Sequence, residues 1–257
     1  MSMGLYQNIL PLKFRNWLRP IKTPIDSIIK FYLRIISRDQ IISGPFKGMQ
    51  FRYPNIEYAM LLGTWELELK HIWEEVFSGE FSLMIDVGAA EGYYAVGMAK
   101  RNPSAKVIAF EMDDRVRKNL NILNEINSAC VEIREKCDVE DLFSFGQSLE
   151  DAFILMDVEG YESVLLDPQK VPALKKSTML IEIHEMYVNG VSELLEERFN
   201  KTHKILQIHG VSRSVDHFPS KAGIAKKLFS PKRLIQFMDE GRPHEMSWYY
   251  MKPIKPF

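Results

Sequence analysis

Two groups of residues in this 257-residue chain have types and spacing suited to chemistry. The first is Asp86-Val87-Gly88-Ala89-Ala90-Glu91-Gly92, at the exit of a short apolar run over 83–87. Glycines let backbone approach a ligand with no Cβ in the way. In an open α/β sheet that ligand lies beyond the C-terminal strand ends, at the switch point. A dinucleotide site would read GxGxxG and present a helix N-terminus to a pyrophosphate. Here Asp86 and Glu91 surround the loop with negative charge, and Ala90 stands where a glycine would. Carboxylates repel a pyrophosphate and attract a sulfonium and an α-ammonium group, so the sign of the charge selects S-adenosylmethionine over NAD. About 20 residues on, Glu111 ends the next apolar run, where a carboxylate accepts hydrogen bonds from ribose hydroxyls. Met112 offers an apolar contact to adenine, and Asp138 an acceptor for its amino group. The bland alternative makes Glu111 and Asp138 loop and cap carboxylates. The predicted cofactor set is Asp86, Gly88, Ala89, Glu91, Gly92, Tyr93, Glu111, Met112, Asp138 and Asp157.

These residues resemble a known family. Ile85-Asp86-Val87-Gly88-Ala89-Ala90-Glu91-Gly92-Tyr93-Tyr94 is similar to the first motif of the FkbM methyltransferases, with Ala90 where that family usually has Asn. Asp157-Val158-Glu159-Gly160-Tyr161-Glu162 resembles its second and more specific hallmark. Ile181-Glu182-Ile183-His184 is like its fifth-strand end, and Gly63-Thr64-Trp65-Glu66 like an element preceding the domain. The likeness spans 44–199. It implies methylation of a hydroxyl on a sugar, glycan or other small metabolite. The alternatives are a methyltransferase with a non-hydroxyl acceptor, or a Rossmann protein of other activity.

The second group, Asp157, Glu159, Glu182 and His184, falls at the ends of two neighbouring apolar runs. Polar groups so placed have a burial cost unless paired or in use. Methyl transfer needs a positioned hydroxyl relieved of its proton. His184 is a candidate base, oriented by Glu182 or Glu185; Asp157 can instead take the proton or hold the hydroxyl. Glu159 suits the methionine ammonium, a sugar hydroxyl, or the helix start near Tyr161. Such a set can also chelate a divalent cation, but a hydrogen-bonded polar cluster with no metal is the favoured arrangement.

The elements that must position these groups follow from periodicity. Apolar runs at 83–87, 106–110, 131–134, 152–156, 179–184, 203–208 and 246–251 predict strands, with amphipathic helices between them. The fold class expected is α/β: a Rossmann-like class I methyltransferase with a doubly wound, mostly parallel seven-stranded sheet over 79–257. Residues 1–78 form an N-terminal extension: a basic amphipathic helix over 24–38, a β-hairpin around Gly44 to Tyr53, and a helix over 64–78 begun by Thr64. The basic residues of 1–40 suit peripheral contact with a membrane surface, against a plainer role as the solvated face of a packed helix. The stretch 210–244 is polar and basic, and sits where an insertion covers the site.

Composition narrows the rest. A formal net charge of −1 and 46% hydrophobic residues describe an ordinary globular chain with no global field for nucleic acid. The acidic, proline-free segment after the fourth strand suits neither base stacking nor phosphate. Two cysteines without a CxxC, and no apolar run long enough to span a bilayer, fit a cytoplasmic protein.

Overall fold

The computed structural model describes residues 24–52, 57–241 and 246–254. Lys13, Arg15, Arg19, Lys22, Tyr53 and His244, singled out from the sequence, lie outside them. In chain order the elements are α1 (Pro24–Ser37), α2 (Tyr58–Leu62), α3 (Lys70–Ser78), β1 (Leu83–Val87), α4 (Tyr93–Arg101), β2 (Lys106–Phe110), α5 (Asp114–Ile126), β3 (Val131–Arg134), α6 (Val139–Ser144), β4 (Phe153–Met156), α7 (Glu162–Leu165), β5 (Thr178–Ile183), α8 (Val191–Phe199), β6 (His203–His209), α9 (Ile224–Leu228), α10 (Pro231–Met238) and β7 (Ser247–Pro253).

The seven strands form one sheet in the order β3-β2-β1-β4-β5-β7-β6. β1 to β5 pair in parallel, and β7 runs antiparallel between β5 and β6. The expected doubly wound, mostly parallel sheet is what forms. β1 and β4 are completely buried, as strands covered by helices on both faces must be. Side-chain alternation divides the core. Met84, Leu155 and Leu180 face a cluster with Phe46, Trp73 and Tyr93, whereas Ile85, Ile154 and Ile181 face α7 and α8.

Residues before β1 pack into that first cluster. Phe46 meets Trp73, Phe77, Tyr93 and Tyr94 edge-on, with centroids 5.1 to 5.9 Å apart. The predicted hairpin reduces to a tight turn with one antiparallel bridge, Gln40 to Gln50. Its arms end in contacts with other elements, such as Asn127, whose side chain bonds both backbone groups of Gln50. The helix predicted over 64–78 begins only at Lys70, because Glu66 takes a left-handed backbone with φ 47°. The Thr64 hydroxyl donates backward to the Ala59 carbonyl instead of capping.

A third cluster joins α1 to the segment between β6 and β7. Ile29 and Leu33 of α1 are buried with Leu62, Phe218, Ala222, Leu234 and Met238. β6 ends and β7 starts at the edge where the parallel strands have their C-termini. The segment 210–246 therefore leaves and returns on the side of the sheet where a ligand would sit.

Candidate active site at the strand ends

The sheet order reverses between β1 and β4, and the loops leaving these two strands touch. Gly88, at φ 85°, lies so close that a Cβ there would fall 1.8 Å from the Asp157 carbonyl oxygen. The Gly88 and Ala89 amides both donate to the Phe110 carbonyl at 2.9 Å, tying the loop to β2 as well. Ala90 has φ 46° and Gly92 φ 91°, so the loop winds through left-handed backbone before α4 begins.

Asp86 is 2% exposed and points from β1 toward the first turn of α4. Ala95 donates its amide to the carboxylate, yet burial raises the Asp86 pKa well above the usual range; Asp157, Glu111 and Glu66 add to the rise. Its Oδ2 has no hydrogen-bond partner among the described residues. Glu111 curls over the loop, accepting from the Ala90 amide at 3.0 Å and the Asp113 amide at 2.7 Å. Burial raises its pKa too. Arg117 donates to the carbonyls of Glu111 and Met112, fixing that turn.

The other predicted contacts divide. Met112 is 74% exposed beside Glu111. Ala89 is buried at the loop, and Glu91 is exposed. The Tyr93 ring lies in the aromatic core against Phe46 and Phe51, so its backbone rather than its ring faces the loop. Asp138 precedes α6, with its carboxylate 2.7 Å from Lys136 Nζ and accepting from the Tyr161 hydroxyl at 3.3 Å.

Beyond β4 the register places Asp157 opposite Glu182, since Met156 pairs with Ile181. Asp86, Asp157, Glu182 and His184 all follow the alternation onto one sheet face. His184, 1% exposed, is the hub. Its Nε2 is 3.4 Å from Asp157 Oδ1 and 3.6 Å from Glu182 Oε2; its Nδ1 is 3.3 Å from Glu162 Oε1. Burial by itself would lower the His184 pKa. The contacts with Asp157 and Glu162 and the charges of Asp157 and Glu182 overcome it and raise the pKa to about 10. At neutral pH the ring is an imidazolium.

Glu162 is the residue whose part the sequence did not reveal. Fully buried at the start of α7, it accepts from the Gly160 amide at 2.8 Å and the His184 amide at 3.2 Å. It thereby clamps the 157–160 turn to the end of β5. Its spacing of five residues from Asp157 within the second motif was the only available signal. Glu185, considered as a partner of His184, instead caps α8, accepting from the Gly190 amide at 2.8 Å and the Ser192 amide at 2.7 Å. Glu159 is exposed in the turn with φ 53°. His203 is buried between Thr202 and the Ser177 carbonyl, and His217 accepts from the Ser214 amide, so both are structural.

Glu66 joins the site to the covering layer. It receives the Tyr94 hydroxyl, and its amide donates to Glu240 at 2.7 Å. Arg213 pairs with Glu240 and with Glu68. Acidic groups thus gather at the ends of β1, β4 and β5, with His184 buried among them. Asp157, Glu182 and His184 each present one ligand atom, mutually within 4.8 Å, a spacing that would accept a metal ion.

The strand order with a single antiparallel β7 is that of the Rossmann-like class I methyltransferases. No protein-family model matches the sequence, and no curated protein is similar to it. Similar solved structures include one from Klebsiella pneumoniae described as a "putative O-methyltransferase", 12% identical over 91% of this chain and 92% of that one, with TM-score 0.45. A precorrin-6y C5,15-methyltransferase from Geobacter metallireducens is 12% identical, covering 56% and 77%, with TM-score 0.42. A Streptococcus pneumoniae protein described as a "putative tRNA methyltransferase", in complex with S-adenosylmethionine, is 12% identical over 72% and 73%, with TM-score 0.44. At these values the likeness adds nothing to what the strand order already shows.

Proposed function

We propose that this chain is an S-adenosylmethionine-dependent O-methyltransferase, similar to the FkbM family, that methylates a hydroxyl of a sugar, glycan or other small metabolite. The observation that carries this is Asp86: a buried carboxylate with an orphan oxygen, on which the acting charges are all acidic. A cationic ligand relieves that cost, and an anionic one deepens it. The residues fit the cofactor. Asp86 and the 88–92 backbone would hold its charged end, and Glu111 its ribose. Met112 offers adenine an apolar surface, and Asp138 borders the same strand-end row. When bound, S-adenosylmethionine supplies an electrophilic methyl on a cationic sulfur.

The division of labour at the acceptor follows from exposure and charge. His184 is sealed in and already protonated, so it does not serve as the base. Asp157 has 42% of its side chain open and faces outward. It is placed to take up the proton of an acceptor hydroxyl. His184 fixes the Asp157 carboxylate, and Glu162 and Glu182 fix His184. Glu159, beside the base in a strained turn, is positioned to meet an acceptor hydroxyl.

The test is calorimetry with S-adenosylhomocysteine and NAD, followed by labelled methyl transfer to a panel of sugars and glycolipids with and without chelator. Binding of S-adenosylhomocysteine alone is expected; binding of NAD instead would overturn the proposal. Once an acceptor is found, Asp157→Asn should lower kcat by about 100- to 10,000-fold.

A further inference from the structure

α1 buries one side and leaves a second apolar side uncovered. Ile29 and Leu33 are fully buried against the 210–241 layer. Ile28, Phe31 and Ile35, spaced three and four apart and so on one face, are 57%, 68% and 58% exposed. Arg34 follows Phe31 by one turn and is exposed, as is Arg38 just past the helix. α1 packs on the short turn at Ser220–Ala222, and α9, which follows at once, exposes Ile224 and Leu228 by 61% and 65%. Lys221, Lys226, Lys227 and Lys232 are exposed around them. The run 220–233 holds no acidic residue at all. Large apolar side chains on α1 and on α9, the helix that follows the turn on which α1 packs, with cations beside them, need a partner that is apolar and anionic at once.

We propose that this face docks on an anionic lipid bilayer, with α1 lying in the interfacial plane. Such helices put branched aliphatic and Phe side chains among acyl chains and their Lys and Arg among headgroup phosphates. Charge selects this occupant over the alternatives within reach. A second copy would bring the same cations face to face. Residues 1–23 carry Lys13, Arg15, Arg19 and Lys22 and no acidic residue, so their charge adds to the attraction for an anionic surface. Nucleic acid would satisfy the lysines but leave Ile28, Ile35, Ile224 and Leu228 in water, since it offers phosphate and base faces rather than hydrocarbon. No helix among the described residues is long and apolar enough to cross a membrane, which leaves surface attachment as the mode. This inference does not depend on methyl transfer. If both hold, the covering layer brings the strand-end site to acceptors carried at a bilayer.

The experiment is flotation of the full chain with vesicles of phosphatidylcholine alone or mixed with phosphatidylglycerol. Binding to the mixed vesicles only, weakened by salt, is expected. The double variant Ile28→Ser with Phe31→Ser should lose about tenfold or more in partitioning, and Lys226→Glu with Lys227→Glu a similar factor. Circular dichroism and S-adenosylhomocysteine affinity serve as the folding controls. The proposal is overturned if the mixed vesicles are not bound, or if neither folded variant differs from the parent. Concentration-dependent dimerisation removed by the same variants would also overturn it, as would RNA binding without vesicle binding.

Discussion

Asp86 and His184 follow the alternation onto one face of the sheet, on β1 and just beyond β5, and both are withdrawn from water. They treat charge in opposite ways. Around His184, three carboxylates approach one ring that remains protonated to about pH 10, so the cluster carries its own counter-charge. Asp86 has the Ala95 amide on its carboxylate, but the charges that act on it are acids, and one oxygen has no partner among the described residues. The first cluster holds a cation of its own, and the second has none until something arrives.

That contrast can be broken most forcefully at His184. Removing one member of a buried charged cluster costs about 3–5 kcal/mol, so His184→Gln should lower stability by that order in denaturant titration. Adding Glu182→Gln should restore part of the loss, because one of the stranded carboxylates is then neutral. If the double variant is no more stable than the single one, the ring is not acting as counter-ion.

A second effect, intermediate in size, is the pH dependence. The folded pKa of His184 is raised from 6.5 to about 10. Its contribution to stability is therefore complete below pH 6.5 and lost as pH rises through about 10. Melting temperature measured from pH 7 to 10.5 should fall, and in His184→Gln that part of the slope should vanish. An unchanged slope would show that the ring is neutral in the fold.

The smallest expected effect has the opposite sign. Asp86→Asn removes a burial penalty, so the ligand-free protein should gain about 1 kcal/mol, or 2–4 °C in Tm for a chain of this size. S-adenosylhomocysteine affinity should drop in the same variant. A loss of both stability and affinity would mean that Asp86 is a structural acid like Glu162.

Much of this arrangement was legible beforehand because it follows from alternation and strand order. Acidic residues at the ends of apolar runs mark strand ends, and adjacent parallel strands bring Asp157 beside Glu182. What periodicity does not encode is where the chain turns after leaving a strand. Glu162 reads as a helix-start acid until positive φ at Glu159 and Gly160 folds the turn back and delivers its carboxylate to His184. Glu185 adjoins His184 in sequence, yet the chain swings it onto α8. Tyr93 belongs to the loop motif, but the direction of the helix sends its ring into the core. The late start of α3 has the same origin, a single left-handed residue at Glu66 that propensity does not announce.

The contact of Gly88 with the Asp157 carbonyl is backbone against backbone. The spacing between the loop proposed for the methyl donor and the proposed base is therefore written in main chain, and no side chain facing the acceptor takes part in it. Such a scaffold is open to change at its mouth. Side chains at that mouth can differ without altering the separation between the two loops.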